Sequence, residues 1–194
     1  MTDTSLQFAT QKYTHLPDFL DKEVCQRLTQ GLKELIEQKA TEPDPQCPKS
    51  EAIYGAPIFD TLLLQLLPRF EQATGLNLFP TYSYARWYVP GEELLNHVDR
   101  ASCETSATIT LGFDGDNWPI YMGDGVNKAN PVKISMDVGD AVLYRGTEKH
   151  HWREIYTEGK WQAQVFLHYV DANGPHRNWI YDGRYGLNLL PQEE

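Results

Sequence analysis

The first third of the chain carries the spacing of apolar residues that is typical of amphipathic helices. One such stretch follows Asp21, and its apolar positions are Val24, Leu28, Leu32, Leu35 and Ile36. Asp21 suits the N-cap, because its side chain can accept a hydrogen bond from the first turn. The pattern predicts a helix that ends before residues 41–50, a loop with three prolines, since proline cannot continue a helix.

A second helix is predicted after Asp60. Its apolar side consists of Leu63, Leu66, Leu67 and Phe70. Gly75 is a natural stop because glycine readily adopts the left-handed conformation that ends helices. Pro68 lies inside the run and predicts a kink, or a break into two shorter helices.

From about residue 79 the pattern changes to short runs that are rich in β-formers and separated by Gly, Asp and Asn. Strands are predicted at 81–89, 106–113, 119–122, 132–136, 141–144 and 161–170. Such a series indicates an all-β sandwich or jelly roll. The prediction is one domain, residues 1–194, that is mainly β with N-terminal helices. It has a helical layer (1–78), a jelly-roll core (79–171) and a C-terminal tail (172–194).

Composition narrows the function classes. The chain has 194 residues, 41% of them hydrophobic, and a net charge of −10; this acidic balance argues against nucleic acid as a partner. The apolar run 62–67 is too short to span a bilayer, and the polar N-terminus does not resemble a signal peptide. Three cysteines without a C-x-x-C pair indicate reduced thiols and predict a cytoplasmic protein.

The candidate chemistry lies in one motif. Tyr88-Val-Pro-Gly91 is followed by five residues and then by His97-Val-Asp99. In an extended segment, alternate residues point to the same face, so His97 and Asp99 can act together. With one distant histidine they would form the facial triad of non-haem iron oxygenases, which leaves three metal positions open for a cosubstrate and dioxygen. His150 and His151 follow the predicted strand 141–144 and are the candidates for that histidine.

The stretch from about residue 79 to 171 resembles the prolyl-4-hydroxylase-like branch of the 2-oxoglutarate- and iron(II)-dependent oxygenases. That family shows Tyr-x-x-Gly, five residues, His-x-Asp, and then a Gly-Asp or Gly-Glu strand before the third metal ligand. The segment 16–20 before the first predicted helix also looks like the family's entry segment. The resemblance implies a double-stranded β-helix, a cupin-like jelly roll that holds the metal in its open mouth.

The activity that the resemblance implies is hydroxylation of a C–H bond in a small molecule or a protein side chain. Fe(II) would be the cofactor, and 2-oxoglutarate and O2 the cosubstrates, with release of succinate and CO2. The presence of Asp99 favours hydroxylation over the halogenation that relatives without this carboxylate perform. Neither the substrate nor the oligomeric state has a signal in the sequence.

The resemblance also assigns His97, Asp99 and His151 as metal ligands and catalytic residues. The context His-Trp-Arg-Glu favours His151 as the third ligand. The offset from Gly139, 150 − 139 = 11, favours His150 instead. Because strand alternation points neighbouring residues in opposite directions, only one of the two can bind the metal.

The far carboxylate of 2-oxoglutarate needs a cation, which relatives carry about ten residues after the distal histidine. Lys160 fits this spacing, with Arg153 and Arg86 in reserve; a guanidinium would bind a carboxylate in bidentate fashion. Tyr84 and Tyr88 share one strand face and would hydrogen-bond the cosubstrate if that face lines the barrel. If it points outward, they are surface aromatics.

Of three further residues near the motif, Arg100 and Cys103 have a functional and a structural interpretation, and His168 has only a structural one. Arg100 would meet the substrate or pair with an acid. Cys103 would be a redox-sensitive or a purely structural thiol. His168 has no partner pattern and is predicted to be structural, as are His15 and His176.

Two other function classes compete with the oxygenase. A cupin-like barrel could bind a metal without turning over 2-oxoglutarate, but such sites usually carry more histidines, often with a glutamate. A degenerate barrel could serve as an interaction module, and the intact His-x-Asp argues against it.

Overall fold

The computed structural model describes residues 3–190, which contain three α-helices and eleven strands. The helices are α1 (Asp3–Gln11), α2 (Lys22–Glu37) and α3 (Pro57–Thr74). The strands are β1 (Tyr13–Leu16), β2 (Glu42–Pro43), β3 (Glu51–Tyr54), β4 (Leu78–Tyr88), β5 (Leu94–His97), β6 (Thr105–Asp114), β7 (Ile120–Asp124), β8 (Ala129–Ile134), β9 (Ala141–Tyr144), β10 (His150–Arg153) and β11 (Trp161–Asp171). The last four residues of the predicted C-terminal tail lie outside the described residues.

Helix α2 follows the predicted pattern. It begins directly after Asp21 and buries Cys25, Leu28 and Leu32 on one side. Asp21 occupies the N-cap position, but its side chain makes no capping hydrogen bond. The helix is therefore held by its apolar face, as is usual for helices in folded proteins.

Helix α3 begins earlier than predicted and is not divided at Pro68. Pro57 opens it, in the position where a missing N–H costs nothing. Asp60 does not cap the helix: its buried carboxylate accepts hydrogen bonds from the main-chain N–H (3.2 Å) and the hydroxyl (2.7 Å) of Ser83. The expected break at Pro68 is wrong, because core packing on both sides of it holds the helix together. Gly75 ends the helix with a φ of 74°, as predicted.

The strands form two antiparallel sheets. The larger sheet has the order β1-β9-β6-β11-β4-β3-β2, and the smaller one has the order β5-β10-β7-β8. The predicted mainly β fold with N-terminal helices and a double-stranded β-helix core is confirmed. Strands β1, β2, β3, β5 and β10 were not predicted. Each has at most four residues, and none is as continuously apolar as β9, which is equally short but was predicted.

Alternation along β4 separates the two sides of the larger sheet. Ala85 packs outward into a core that it shares with helices α2 and α3. Tyr84 and Tyr88 point the other way, into the barrel, where they pack in a cluster with Phe166 of β11. The inward orientation of this tyrosine face, one of two possibilities in the sequence, is the one observed. None of the described helices is long and apolar enough to cross a membrane.

Candidate metal centre

Two neighbouring strands of the smaller sheet bring the three candidate ligands together. His97 is the last residue of β5, and Asp99 follows two positions later. His151 lies on β10, directly opposite His97 in the antiparallel register. The sequence-distant histidine therefore reaches the His-x-Asp motif by strand pairing.

The donor atoms of these residues converge on one point. The Nε2 atoms of His97 and His151 each lie 3.5 Å from Oδ1 of Asp99. All three donors lie within 4.8 Å of one another. Two imidazoles and a carboxylate at this spacing can bind a divalent metal on one face and leave the opposite face free.

Main-chain carbonyls set the orientation of both rings. Nδ1 of His97 lies 2.7 Å from the carbonyl oxygen of Leu95, and Nδ1 of His151 lies 3.0 Å from that of Lys149. A carbonyl oxygen only accepts, so each Nδ1 carries the proton and each Nε2 keeps its lone pair. Such a partner on the second nitrogen is typical of metal-binding histidines.

The electrostatics suit a charged carboxylate. Burial alone would raise the pKa of Asp99, but His151 and then His97 hold it well below its usual range. Burial opposes the charge on His97, but the hydrogen bond and charge of Asp99, together with the carbonyl of Leu95, outweigh burial and raise the pKa of that imidazole. Asp99 therefore remains ionised, which is the form that binds a metal.

The adjacent histidines of β10 face opposite sides, as alternation requires. His151 is buried and points into the barrel, whereas His150 is half-buried and lies 3.2 Å from the side-chain oxygen of Asn96. The structure thus brings His151, and not His150, to His97 and Asp99.

A cavity of about 440 Å³ opens beside these three residues and extends into the barrel. Aromatic side chains form much of its wall: Tyr54, Tyr82, Tyr84, Tyr144 and Phe166. Its charged and polar lining includes Asp44, Arg86 and His168. The cavity is large enough for a small organic molecule beside the metal position.

Lys160 does not reach this cavity. Its side chain is 80% exposed, and its ammonium bonds to the carboxylate of Asp114 at 3.0 Å on the surface. Strand β11 begins only at Trp161, and Gly159, with a φ of 131°, turns the chain just before it. The placement does not support Lys160 as the cation for a cosubstrate, because its ammonium lies on the surface and not in the cavity beside His97, Asp99 and His151.

Two buried arginines occupy the barrel interior instead. Arg86 lines the cavity and is paired with Asp44 at 2.7 Å; it also donates to the phenol oxygen of Tyr88 at 2.7 Å. Arg153 follows His151 by two residues on β10 and lies next to the Tyr88 ring, with its guanidinium carbon 5.9 Å from the ring centre.

The two guanidinium groups differ in how many of their nitrogens have a hydrogen-bond partner. One nitrogen of Arg153 donates to the carbonyl oxygen of Trp118, while Nε and Nη2 are buried without a hydrogen-bond partner. Arg86 leaves only Nε without one. Burial and the nearby Arg86 lower the pKa of Arg153, against the influence of Tyr88 and Tyr144. Arg153 is thus a buried cation without a carboxylate partner among the described residues.

The remaining predicted residues take up supporting positions. Tyr84 donates to Asp44 at 2.5 Å. Arg100 forms a bidentate ion pair with Asp182 of the C-terminal segment, at 2.8 and 2.7 Å, so it pairs with an acid. The thiol of Cys103 is buried, and burial raises its pKa to about 12, so its environment is that of a structural cysteine.

Sequence reasoning missed the groups that support Asp99. The hydroxyl of Ser106 lies 3.1 Å from Oδ2 of Asp99 and 2.8 Å from Nδ1 of His168. Ser106 and His168 are partners across β6 and β11. Sixty-two positions separate them along the chain, so only the strand register, which the sequence does not contain, could have indicated this pair.

No model of a known protein family matches this sequence, and no curated protein matches it either. Solved structures do match. A prolyl-4-hydroxylase from Pseudomonas putida superposes with a TM-score of 0.68 at 15% identity, over 86% of this chain and 97% of the other. HygX from Streptomyces hygroscopicus, solved with nickel, 2-oxoglutarate and hygromycin B, gives 0.68 at 17% identity, over 89% and 88%.

A further similar structure is SnoK, a non-haem α-ketoglutarate-dependent carbocyclase from nogalamycin biosynthesis. It gives a TM-score of 0.73 at 15% identity, over 100% of this chain and 94% of the other. Identities this low establish the fold and leave the reaction open. The chain therefore has the fold of the 2-oxoglutarate- and iron(II)-dependent oxygenases, with prolyl-4-hydroxylases among its structural neighbours, and its His-Asp-His group fits an iron site.

Proposed function

We propose that this protein is a 2-oxoglutarate- and Fe(II)-dependent dioxygenase that hydroxylates a C–H bond of a small molecule or a protein side chain, releasing succinate and CO2. The observation that carries the proposal is the arrangement of His97, Asp99 and His151. Both imidazoles are fixed by main-chain carbonyls, and both turn Nε2 toward Oδ1 of Asp99 at the mouth of a cavity. Iron bound there would supply the activation of dioxygen and the oxidative chemistry.

Arg153 is the residue that we propose for the far carboxylate of 2-oxoglutarate. Arg153 and His151 are buried on the same face of β10. Two residues along a strand correspond to about 7 Å, which is similar to the length of a five-carbon diacid. Its two unpaired nitrogens can donate to a carboxylate. Tyr88, whose phenol oxygen is held by Arg86, lies beside it and can contribute a further hydrogen bond.

This cation also favours the oxygenase over a metal-binding barrel that does not use 2-oxoglutarate. A barrel that binds only a metal has no use for a buried, unpaired guanidinium, which costs free energy in the absence of a partner. A dicarboxylate cosubstrate supplies that partner. Measuring whether 2-oxoglutarate binds, and whether its binding depends on Arg153, therefore distinguishes the two functions.

The test begins with metal-free protein under anaerobic conditions. Addition of Fe(II) and then 2-oxoglutarate is expected to produce the visible charge-transfer band of a chelated keto acid, and admission of air is expected to produce succinate. Metal binding without the band and without succinate would instead support the cupin-like alternative. Binding of neither metal nor 2-oxoglutarate would contradict both.

A pair of variants tests the ligands. His97→Ala is expected to weaken metal binding roughly 100-fold or more, because even loss of an outer-sphere partner costs about 10–100-fold. His15→Ala removes a histidine that is not part of the centre and bonds to Asp140; it is the matched control and should bind metal like the wild type. Full metal affinity in His97→Ala would refute the ligand assignment.

A further inference from the structure

We infer that Ser106, oriented by His168, is a positioning residue that keeps Asp99 monodentate, so that only Oδ1 faces the metal position. This inference rests on the proposed function, because it concerns how the same three ligands leave room for a cosubstrate. Neither Ser106 nor His168 touches the metal position through its own donor atoms. Both act through the carboxylate of Asp99.

The two carboxylate oxygens of Asp99 have different neighbours. Oδ1 lies 3.5 Å from Nε2 of both ligand histidines. Oδ2 lies 3.1 Å from the hydroxyl oxygen of Ser106. The carboxylate is therefore turned edge-on, with one oxygen toward the metal position and one toward β6.

Proton counting fixes the direction of the hydrogen bonds around Ser106. Its hydroxyl has a single proton and lies near two pure acceptors, Oδ2 of Asp99 and the carbonyl oxygen of Cys103 at 3.0 Å. The contact with Nδ1 of His168, at 2.8 Å, is then a bond in which the imidazole donates. A serine oxygen that accepts from His168 keeps its one proton for these two acceptors, and the charged carboxylate of Asp99 is the stronger of them.

Main-chain atoms also confine the carboxylate of Asp99. The N–H of Asp99 donates to the carbonyl oxygen of Gly146 at 2.7 Å, and the N–H of Gly146 donates to that of Glu104 at 3.0 Å. A Cβ at position 146 would lie 2.6 Å from Oδ2 of Asp99 and 2.1 Å from the carbonyl oxygen of Cys103. Only glycine lets the carboxylate sit this close to the strand end, so Ser106 acts on a carboxylate that is already confined.

Ser106 also separates two overlapping donor sets. Asp99, Cys103 and His168 have ligand atoms within 4.8 Å of one another, as do Asp99, His97 and His151. The hydroxyl of Ser106 contacts two members of the first set, through Oδ2 of Asp99 and Nδ1 of His168. It thereby holds Oδ2 on the side of β6, while Oδ1 faces the two histidines of the second set.

The consequence concerns the number of open metal positions. Two imidazoles and one carboxylate oxygen leave three of six positions, which is the number needed for a chelating keto acid and dioxygen. A carboxylate that rotates and binds through both oxygens removes one of these three. Holding Oδ2 away from the metal therefore matters for cosubstrate binding as well as for metal affinity.

Ser106→Ala tests the inference, with the O2-inert probe Co(II) and with anaerobic Fe(II) plus 2-oxoglutarate. We expect Co(II) binding to weaken about 10-fold or more, 2-oxoglutarate to bind more weakly to the Fe(II) protein, and the charge-transfer band to shift or weaken. Ser106→Thr keeps the hydroxyl and should restore these properties. Thr81→Val is the control, because it removes a buried hydroxyl that donates at 2.8 Å to the carbonyl oxygen of Ser102 and touches no ligand.

His168→Phe provides a second perturbation if Ser106→Ala does not fold. It preserves an aromatic ring against Tyr82, whose centre lies 4.5 Å from that of His168, and removes the donor that orients Ser106. A smaller loss of 2-oxoglutarate affinity, with unchanged unfolding of the metal-free protein at pH 7.5 or above, is the expected result.

The failures are distinguishable. If the wild type binds neither Co(II) nor 2-oxoglutarate, the proposed function is wrong. If the wild type binds both, and Ser106→Ala and His168→Phe bind them with the same affinities and the same charge-transfer band, the positioning role is overturned while the proposed function stands.

Discussion

Replacement of Arg153 by methionine is expected to stabilise the metal-free protein and to abolish tight binding of 2-oxoglutarate. The side chain is 1% exposed, and two of its nitrogens lack a hydrogen-bond partner. The one bond that it makes is to the carbonyl oxygen of Trp118, which also accepts from the amide of Gln162 at 3.3 Å. Loss of the guanidinium therefore does not leave this carbonyl without a donor.

The magnitude follows from these contacts. A buried polar group without a partner costs about 1–3 kcal/mol, and methionine fills a similar volume with a flexible apolar chain. A net gain of about 1–2 kcal/mol in the free energy of unfolding is expected, at roughly 2–4 °C per kcal/mol for a chain of this size. In contrast, the loss of two charge-assisted hydrogen bonds, each about 1.5–3 kcal/mol, weakens 2-oxoglutarate binding on the order of 100-fold or more.

The assay combines thermal unfolding of the metal-free proteins with anaerobic titration of 2-oxoglutarate into the Fe(II) forms. Lys160→Met is the matched control: it removes an exposed cation with a single surface partner, and exposed pairs of this kind contribute at most about 1 kcal/mol. It should bind 2-oxoglutarate like the wild type. A lower unfolding temperature of Arg153→Met together with unchanged 2-oxoglutarate affinity would refute the reasoning and make Arg153 a structural residue.

Three further predictions follow from the same geometry. His151→Ala should weaken Co(II) binding about 100-fold or more, whereas His150→Ala, which loses only a half-exposed contact with Asn96, should bind Co(II) normally; the reverse order would exchange the two assignments. A thiol reagent at pH 8 should label none of the three cysteines in the native protein and all three after unfolding. The reason is that burial raises the pKa of Cys25 and Cys47 to about 11 and that of Cys103 to about 12. Rapid labelling of Cys103 in the native protein would show an accessible thiol. Burial lowers the pKa of His168 to about 4. The contribution of the neutral imidazole to stability is therefore present above the unfolded pKa of about 6.5 and is lost as the pH falls toward 4, by about 3 kcal/mol at most. Urea unfolding of metal-free His168→Phe should lack this part of the wild type's acid sensitivity, and identical pH profiles of the two proteins would contradict the prediction.

Strand alternation explains how much of the site the sequence could predict. The rule that neighbours on a strand face opposite sides placed His97 with Asp99, Tyr84 with Tyr88, and only one of the histidines 150 and 151 in the barrel. Each of these statements concerns residues that are close together in the sequence. The structure agrees with all three placements: Tyr84 and Tyr88 lie on β4, His150 and His151 lie on β10, and Asp99 follows the end of β5 by two residues.

Counting residues along the sequence failed where a strand begins. Lys160 lies about ten residues after the distal histidine, where relatives carry the cation, but β11 begins only at Trp161 and the chain turns at Gly159. Spacing along the sequence does not contain the position of that boundary. The proline in α3 shows the opposite error, because a local breaking signal was outweighed by tertiary packing on both sides of Pro68.

Apart from the approach of His151 to His97 and Asp99, the contacts between strands could not be predicted from the sequence. Ser106 and His168 meet because β6 and β11 pair in a particular register. Asp44, in the loop after β2, reaches Arg86 across the larger sheet and neutralises it. Nothing near either member of these pairs in the sequence indicates its partner.

The two buried arginines differ in whether the protein itself supplies a partner for the charge. Arg86 has a carboxylate 2.7 Å away, a phenol oxygen and the side-chain oxygen of Gln46, so its charge is compensated within the described chain. Arg153 has one carbonyl oxygen. A dicarboxylate that binds the folded state and neutralises Arg153 stabilises that state by mass action. The thermal shift caused by 2-oxoglutarate should therefore be large in the wild type and in Lys160→Met and nearly absent in Arg153→Met. The same guanidinium that destabilises the ligand-free protein would then account for the affinity for 2-oxoglutarate.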